Sequence, residues 1–245
     1  MKLYHGTAGE NVPAILKRGI KPRRATRKNN WKHSVASHEH AVYLTSAYAG
    51  YFAHQAAKTS KLGIIEVDTD QLDPDLLRPD EDFLEQATRS GKTSNTELEQ
   101  LKQASMNERT AWFRVHLDEY AEAWEDSVKH LGTCCYLGEI PSEAITRASV
   151  FDYKKNPLVA TELLEPTITI ANFRFCAERY HALTKWLMGE DIDPDALLIV
   201  PKSALKNLPE QFRDAIGGWD KEARKRLNDR RGLKLVKKAF VEPSA

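Results

Sequence analysis

Three short β-like segments stand within the first 67 residues, at 2–5 (Lys-Leu-Tyr-His), 41–45 (Ala-Val-Tyr-Leu-Thr) and 63–67 (Gly-Ile-Ile-Glu-Val), and none is joined to the next by a hairpin turn. A chain of this kind must pair strands that lie far apart in sequence. Between them the pattern is helical or polar. Residues 12–19 form a short helix with Pro13 in its first turn, where a missing N–H costs nothing, and with Gly19 at its end. Residues 47–59 form a second helix carrying Tyr48, Tyr51, Phe52 and His54. From 93 to 131 no strand signal interrupts a helical pattern with Trp112, Tyr120, Trp124, Val128 and Leu131 on one side. Strands return at 134–137 and 148–151. Strands, then a long helical stretch, then strands again predict an α+β fold.

Downstream, the pattern predicts a strand at 167–170, a helix at 177–188, a buried strand at 197–200, helices through the last 40 residues and a final strand at 233–236. The segment 70–85, rich in Asp and Pro, reads as a structured loop. The expected organisation is a core at 1–151, interrupted by the helical insertion at about 93–131, and an extension at 152–245 that packs on the core and is not independent.

The formal charge of the 245 residues is +1, with 41% hydrophobic and 29% charged residues, which is ordinary for a globular protein. The average conceals three unlike regions. Residues 1–40 carry nine Lys/Arg against two Asp/Glu, residues 66–126 carry six against 17, and residues 219–245 carry nine against four. Clustered Lys and Arg attract phosphates, so an anionic partner is one reading and mutually balancing solvated faces the other. No run of 18 apolar residues is present to span a bilayer, and Met1 leads within two residues into a strand, without the basic and apolar regions of a signal peptide. A cytoplasmic protein with no membrane partner is expected. Cys134, Cys135 and Cys176 form neither a CxxC pair nor an even framework. His33, His38 and His40 have loose metal-like spacing without further clustered ligands, so no metal is expected.

The order Leu3-Tyr4-His5-Gly6-Thr7, then Val42-Tyr43-Leu44-Thr45-Ser46 followed by an aromatic helix, then Gly63-Ile64-Ile65-Glu66-Val67, resembles the NAD-binding core of the ADP-ribosyltransferase superfamily. The resemblance is to its His-Tyr branch, which includes the poly(ADP-ribose) polymerases and the rifamycin ADP-ribosyltransferases, with the RNA 2′-phosphotransferases as an offshoot. It covers 2–68 well and 132–151 loosely. It implies a split β-sheet core, with the helical insertion and an α/β extension added, and NAD as substrate. His5 then bonds the adenosine ribose, Gly6 offers its bare backbone to the nicotinamide carboxamide, and Thr7 and Ser46 add hydroxyls. Tyr51, or Tyr43 itself, offers a face to the cationic nicotinamide ring, and Arg24, in the basic stretch 17–32 with Trp31, holds the pyrophosphate or a nucleic-acid acceptor.

Cleavage of the nicotinamide bond passes through an oxocarbenium-like centre that a carboxylate stabilises. Two places qualify. Glu139 has the neighbourhood of the late-strand glutamate of the polymerase pattern, although the register puts Thr133 or Cys134 at the strand's start and Glu139 at its far end. The rifamycin-modifying relatives instead carry an aspartate in an acidic loop after the third strand, and here Asp80-Glu81-Asp82 lies in such a loop, making Asp80 and Asp82 the alternatives. The same carboxylates also suit a helix N-terminus near Phe83. The implied activity is ADP-ribosyl transfer to a macromolecule, with nucleic acid favoured over protein, as in toxins or defence effectors, which adds a cognate antitoxin to the candidate partners. An RNA 2′-phosphotransferase, or a degenerate module that binds NAD or nucleic acid without turnover, is the alternative.

Overall fold

The computed structural model describes residues 1–22, 37–84, 101, 104–156, 173–193, 196, 210, 221, 225 and 227–237. Its elements are β1 (Lys2–Ala8), α1 (Val12–Arg18), β2 (Ala41–Thr45), α2 (Ala49–Ala56), β3 (Lys61–Asp68), β4 (Leu77–Pro79), α3 (Met106–His116), α4 (Trp124–Leu131), β5 (Thr133–Leu137), β6 (Ile145–Asp152), α5 (Phe173–Leu187) and β7 (Leu233–Lys237). The fold is α+β. The expected strands at 167–170 and 197–200, the basic residues Arg23, Arg24, Arg27 and Lys28, Trp31 and His33 lie outside the described residues. Among the described residues no helix is long and apolar enough to cross a membrane.

The chain forms two compact units, and each is assembled from separated stretches of sequence. The first comprises Met1–Leu3, Ala14–Ser46 and Val67–Ile145; the second comprises Tyr4–Pro13, Ala47–Glu66 and Thr146–Ala245.

In the first unit the strands run in the order β4-β5-β2, with both pairings antiparallel. Tyr43 lies opposite Cys135, which lies opposite Arg78 on β4. The acidic loop therefore contains a strand. Three residues ending in Pro79 are too few and too proline-bound to show strand periodicity, and among the described residues β4 has a partner on one side only, where a proline is tolerated. The predicted helical stretch contains α3, which opens on a capping box between Ser105 and Glu108, and α4, which closes on Gly132 in the left-handed region with φ 81°. The Gly132 carbonyl accepts the Ser46 N–H at 2.9 Å and the Thr45 hydroxyl at 2.6 Å, which ties the end of α4 to the end of β2. Leu84, Phe113 and Leu117 form a small buried cluster with Phe83, Trp112 and Tyr120 against it.

In the second unit the order is β1-β3-β6-β7. β3 is buried at every position from Leu62 to Val67, the mark of a central strand covered on both faces. Helix α2 lies very close to β1: a Cβ on Gly6 would stand 2.2 Å from the Ala49 carbonyl oxygen and 2.6 Å from the Ala53 amide nitrogen. Helix α5 is fixed by Tyr180 against Tyr48, by a hydrogen bond from the Thr184 hydroxyl to the Ala47 carbonyl, and by one from the Trp186 indole to the Leu227 carbonyl. Glu66, 5% exposed, is paired with Arg147 at 2.6 Å, and Arg147 also pairs with Glu190. The guanidinium neutralises one buried carboxylate and one half-buried one, and these contacts push the arginine further toward its charged form.

Candidate functional site

The site is built from the row Tyr43, Cys135 and Arg78 across the first unit's strands and from the turn that follows β4. The alternation of β2 buries Val42 and Leu44, with Tyr43 between them half-buried. Beyond Pro79 the chain turns sharply. The Asp80 amide donates to the Ser127 hydroxyl at 3.0 Å, and that hydroxyl donates to the Thr133 carbonyl at 2.7 Å. Ser127 is fully buried, so this link between α4 and the start of β5 fixes the turn from beneath. The Asp80 side chain accepts the Asp82 N–H at 2.9 Å, and its carbonyl accepts the Phe83 N–H at 3.0 Å. Asp80 is thus the cap of the helical turn at 81–84.

That cap decides where the next side chain goes. Glu81, 4% exposed, faces the phenol of Tyr43, whose hydroxyl lies 2.6 and 2.7 Å from its two carboxylate oxygens. The His38 N–H completes the group, donating to the Tyr43 oxygen at 2.8 Å and to Glu81 Oε1 at 2.9 Å. Burial and the neighbouring Asp80 push the Glu81 carboxyl up to about 7, against the opposing effect of the Tyr43 and His38 hydrogen bonds. Burial, with Glu81 alongside, drives the Tyr43 phenol well above its ordinary value, so it acts as a hydrogen-bond donor and not as a nucleophile. Burial raises Asp80 as well. The Cys134 and Cys135 thiols are buried beside these carboxylates and pushed up, which keeps both inert.

The other predicted residues are distributed as follows. Asp82 is half-buried on the same turn. Ser46 is half-buried at the far end of β2. Glu139 stands two residues past the end of β5, about half exposed, in an ion pair with Lys21 at 3.2 Å. In the second unit, His5 and Gly6 are half-buried on β1. Thr7 is 6% exposed, and its hydroxyl accepts from the Asn11 amide at 3.1 Å. Tyr51, on α2, is 8% exposed, has its phenol raised by burial, and meets the Phe52 ring edge-on at 5.7 Å. The space left by the missing Cβ of Gly6 is filled by the backbone of α2. Arg24 lies outside the described residues. Among the described residues no group of three or more His, Cys, Asp or Glu is placed to hold a metal ion.

Sequence reasoning placed Asp80 and Asp82 at the site and passed over Glu81 between them, together with the His38 amide. The sequence carried part of the signal, since carboxylates at 80–82 suit a helix N-terminus, but it does not mark which of the three is the cap and which turns toward β2. Comparison with protein-family models, with curated proteins and with solved structures found no match to this chain.

Proposed function

We propose that the chain is an NAD-dependent ADP-ribosyltransferase acting on a macromolecular acceptor, with nucleic acid favoured. The observation that carries this reading is the meeting of Tyr43 with the acidic turn at 80–82, since the resemblance offers Tyr43 as one of two faces for the nicotinamide ring and the turn as one of two places for the carboxylate at the reacting ribose. Perturbed ionisable groups gathered around a half-buried aromatic ring are a feature of functional sites. The excess of Lys and Arg in residues 1–40 and 219–245 favours an anionic acceptor.

The three acidic residues then divide the work. Asp80 caps the helical turn and Glu81 faces the Tyr43 phenol; Asp82, the least buried of the three and one of the two aspartates the resemblance puts forward, supplies the carboxylate. The bond between the nicotinamide nitrogen and C1′ of the ribose breaks, and its electron pair leaves with nicotinamide. Asp82 stabilises the positive charge left on C1′, the acceptor atom bonds to C1′, and the acceptor's proton passes to the carboxylate. Glu139, in its exposed pair with Lys21, has no part in this.

Calorimetric titration with NAD⁺ and an assay of nicotinamide release with single-stranded DNA, RNA and protein acceptors test the reading. Wild type should bind NAD⁺, Tyr43→Ala should abolish binding, and Asp82→Asn should keep binding while losing release by about 100-fold or more. A wild-type chain that neither binds NAD⁺ nor releases nicotinamide with any acceptor refutes it. Binding with no release from wild type leaves only a binding module.

A further inference from the structure

The Tyr43 ring is held more elaborately than its strand requires. Groups from three segments meet at its hydroxyl: the His38 amide from the residues before β2, Tyr43 itself, and the Glu81 carboxylate from the turn after β4. An apolar side chain at 81 would bury without the desolvation that a carboxylate suffers there. The carboxylate therefore calls for an explanation beyond packing, and the geometry provides one. An ionised carboxylate accepts from both the phenol O–H and the His38 N–H. A protonated one accepts more weakly, because its bonds to the phenol and the amide are no longer charge-assisted, and its own O–H must turn toward the phenol oxygen or away from the group.

The charged and titratable groups around Glu81 leave the control with this residue. Asp80 faces it from its own turn, Tyr43 from β2 and Cys135 from β5, and both the phenol and the thiol are pushed upward and stay neutral near pH 7. His38 contributes its backbone amide, while its ring Nδ1 accepts the His40 N–H at 3.2 Å. Arg78, the nearest cation on β4, is bound to Asp118 at 2.8 Å and to the Asp75 carbonyl at 2.6 Å. Asp80, also raised by burial, bears on Glu81 through its charge, and the proton on Glu81 decides how the Glu81 carboxyl meets the phenol and the His38 amide.

We propose that Glu81 is a positioning residue for Tyr43: its carboxylate, with the His38 amide, fixes the phenol and thereby the ring face presented to nicotinamide, and protonation of Glu81 loosens that hold. The identity of the ligand rests on the ADP-ribosyltransferase reading; the hold itself is a property of Tyr43, Glu81 and His38.

The test has a ligand-free arm and a ligand arm. The 245-residue chain labelled with ¹³C at tyrosine Cζ is titrated from pH 5.5 to 8.5, with the Tyr43 signal assigned by its loss in Tyr43→Phe. The signal should shift with a midpoint near pH 7 in wild type, remain flat in Glu81→Gln, and regain pH dependence in Glu81→Asp. In the second arm, the KM for NAD⁺ should rise about tenfold in Glu81→Gln, with kcat changed less than threefold, and the pH dependence of KM should disappear with the carboxylate. A flat Tyr43 signal in wild type overturns the hold. A Glu81→Gln variant with wild-type KM and pH profile overturns the positioning role and leaves ADP-ribosyl transfer standing. Absence of NAD⁺ binding by wild type overturns the nicotinamide assignment together with the proposed activity, while the titration still decides the hold. Circular dichroism confirms that each variant is folded, and if Tyr43→Phe does not fold, the comparison of Glu81→Gln with Glu81→Asp carries the test.

Discussion

Replacing Gly6 with alanine asks whether this glycine serves the helix behind it. The new Cβ would stand 2.2 Å from the Ala49 carbonyl oxygen and 2.6 Å from the Ala53 amide nitrogen, where real Cβ contacts below 3.0 Å are essentially never seen. Strand β1 and helix α2 would have to part by most of an ångström. The atoms encountered are backbone, and Ala49 and Ala53 are fully buried, so no flexible side chain can move aside. Overpacking of this kind costs about 1–3 kcal/mol, and with no route of relief the upper figure applies, about 3 kcal/mol. In a chain of this size that lowers the melting temperature by about 6–12 °C. Gly132→Ala is the control: it places a side chain in the left-handed region at φ 81° at the end of α4 and should cost about 1 kcal/mol, or about 2–4 °C. Thermal unfolding followed by circular dichroism reads both. A Gly6→Ala melt within 2 °C of wild type would mean that α2 does not approach β1 as described. The outcome also governs how ligand data are read. α2 carries Tyr51, so loss of NAD⁺ binding in Gly6→Ala follows from a displaced helix and does not assign the Gly6 backbone to the carboxamide.

Glu81 makes stability depend on pH in a defined direction. Its carboxyl titrates at about 7 in the folded chain against an ordinary 4.5, so the folded state binds the proton more tightly, and stability present at low pH is lost as pH rises toward 7. The shift corresponds to about 3 kcal/mol, so urea denaturation at pH 5 and pH 8 should show Glu81→Gln gaining that much relative to wild type; an unchanged difference between the two pH values refutes the buried carboxylate. Arg147→Met leaves Glu66 buried without its cation and should cost about 3 kcal/mol, at the low end for a broken buried pair because the guanidinium is 37% exposed. Urea denaturation at neutral pH measures it, and a loss below about 1 kcal/mol contradicts the pairing. Glu139→Ala removes an exposed pair and should change stability by less than about 0.5 kcal/mol and nicotinamide release not at all; a large loss of release would return the catalytic role to Glu139.

Much of the fold was legible because it is local. β2 follows from five residues of strand-forming character, β3 from an apolar run, and β7 from Leu-Lys-Leu-Val-Lys, and each is observed close to its expected limits. The end of α4 is likewise marked by Gly132. β4 was not legible, since it is three residues long, ends in proline, and exists because β5 supplies a hydrogen-bonding partner more than 50 residues later.

By itself the sequence determined the α+β class, the positions of most strands and helices, and the presence of a tyrosine strand and an acidic run as chemistry-bearing segments. Periodicity within a segment shows which of its faces is apolar, but it does not name the segment that face will meet. The tertiary structure alone decided that stretches before and after each other in sequence are shared between two units. It also decided that the space beside Gly6 belongs to α2, and that Glu81 is the acidic residue facing Tyr43. That last choice depends on where a helical turn begins. Asp80 begins it because Ser127, 47 residues further along the chain, holds the Asp80 amide from beneath.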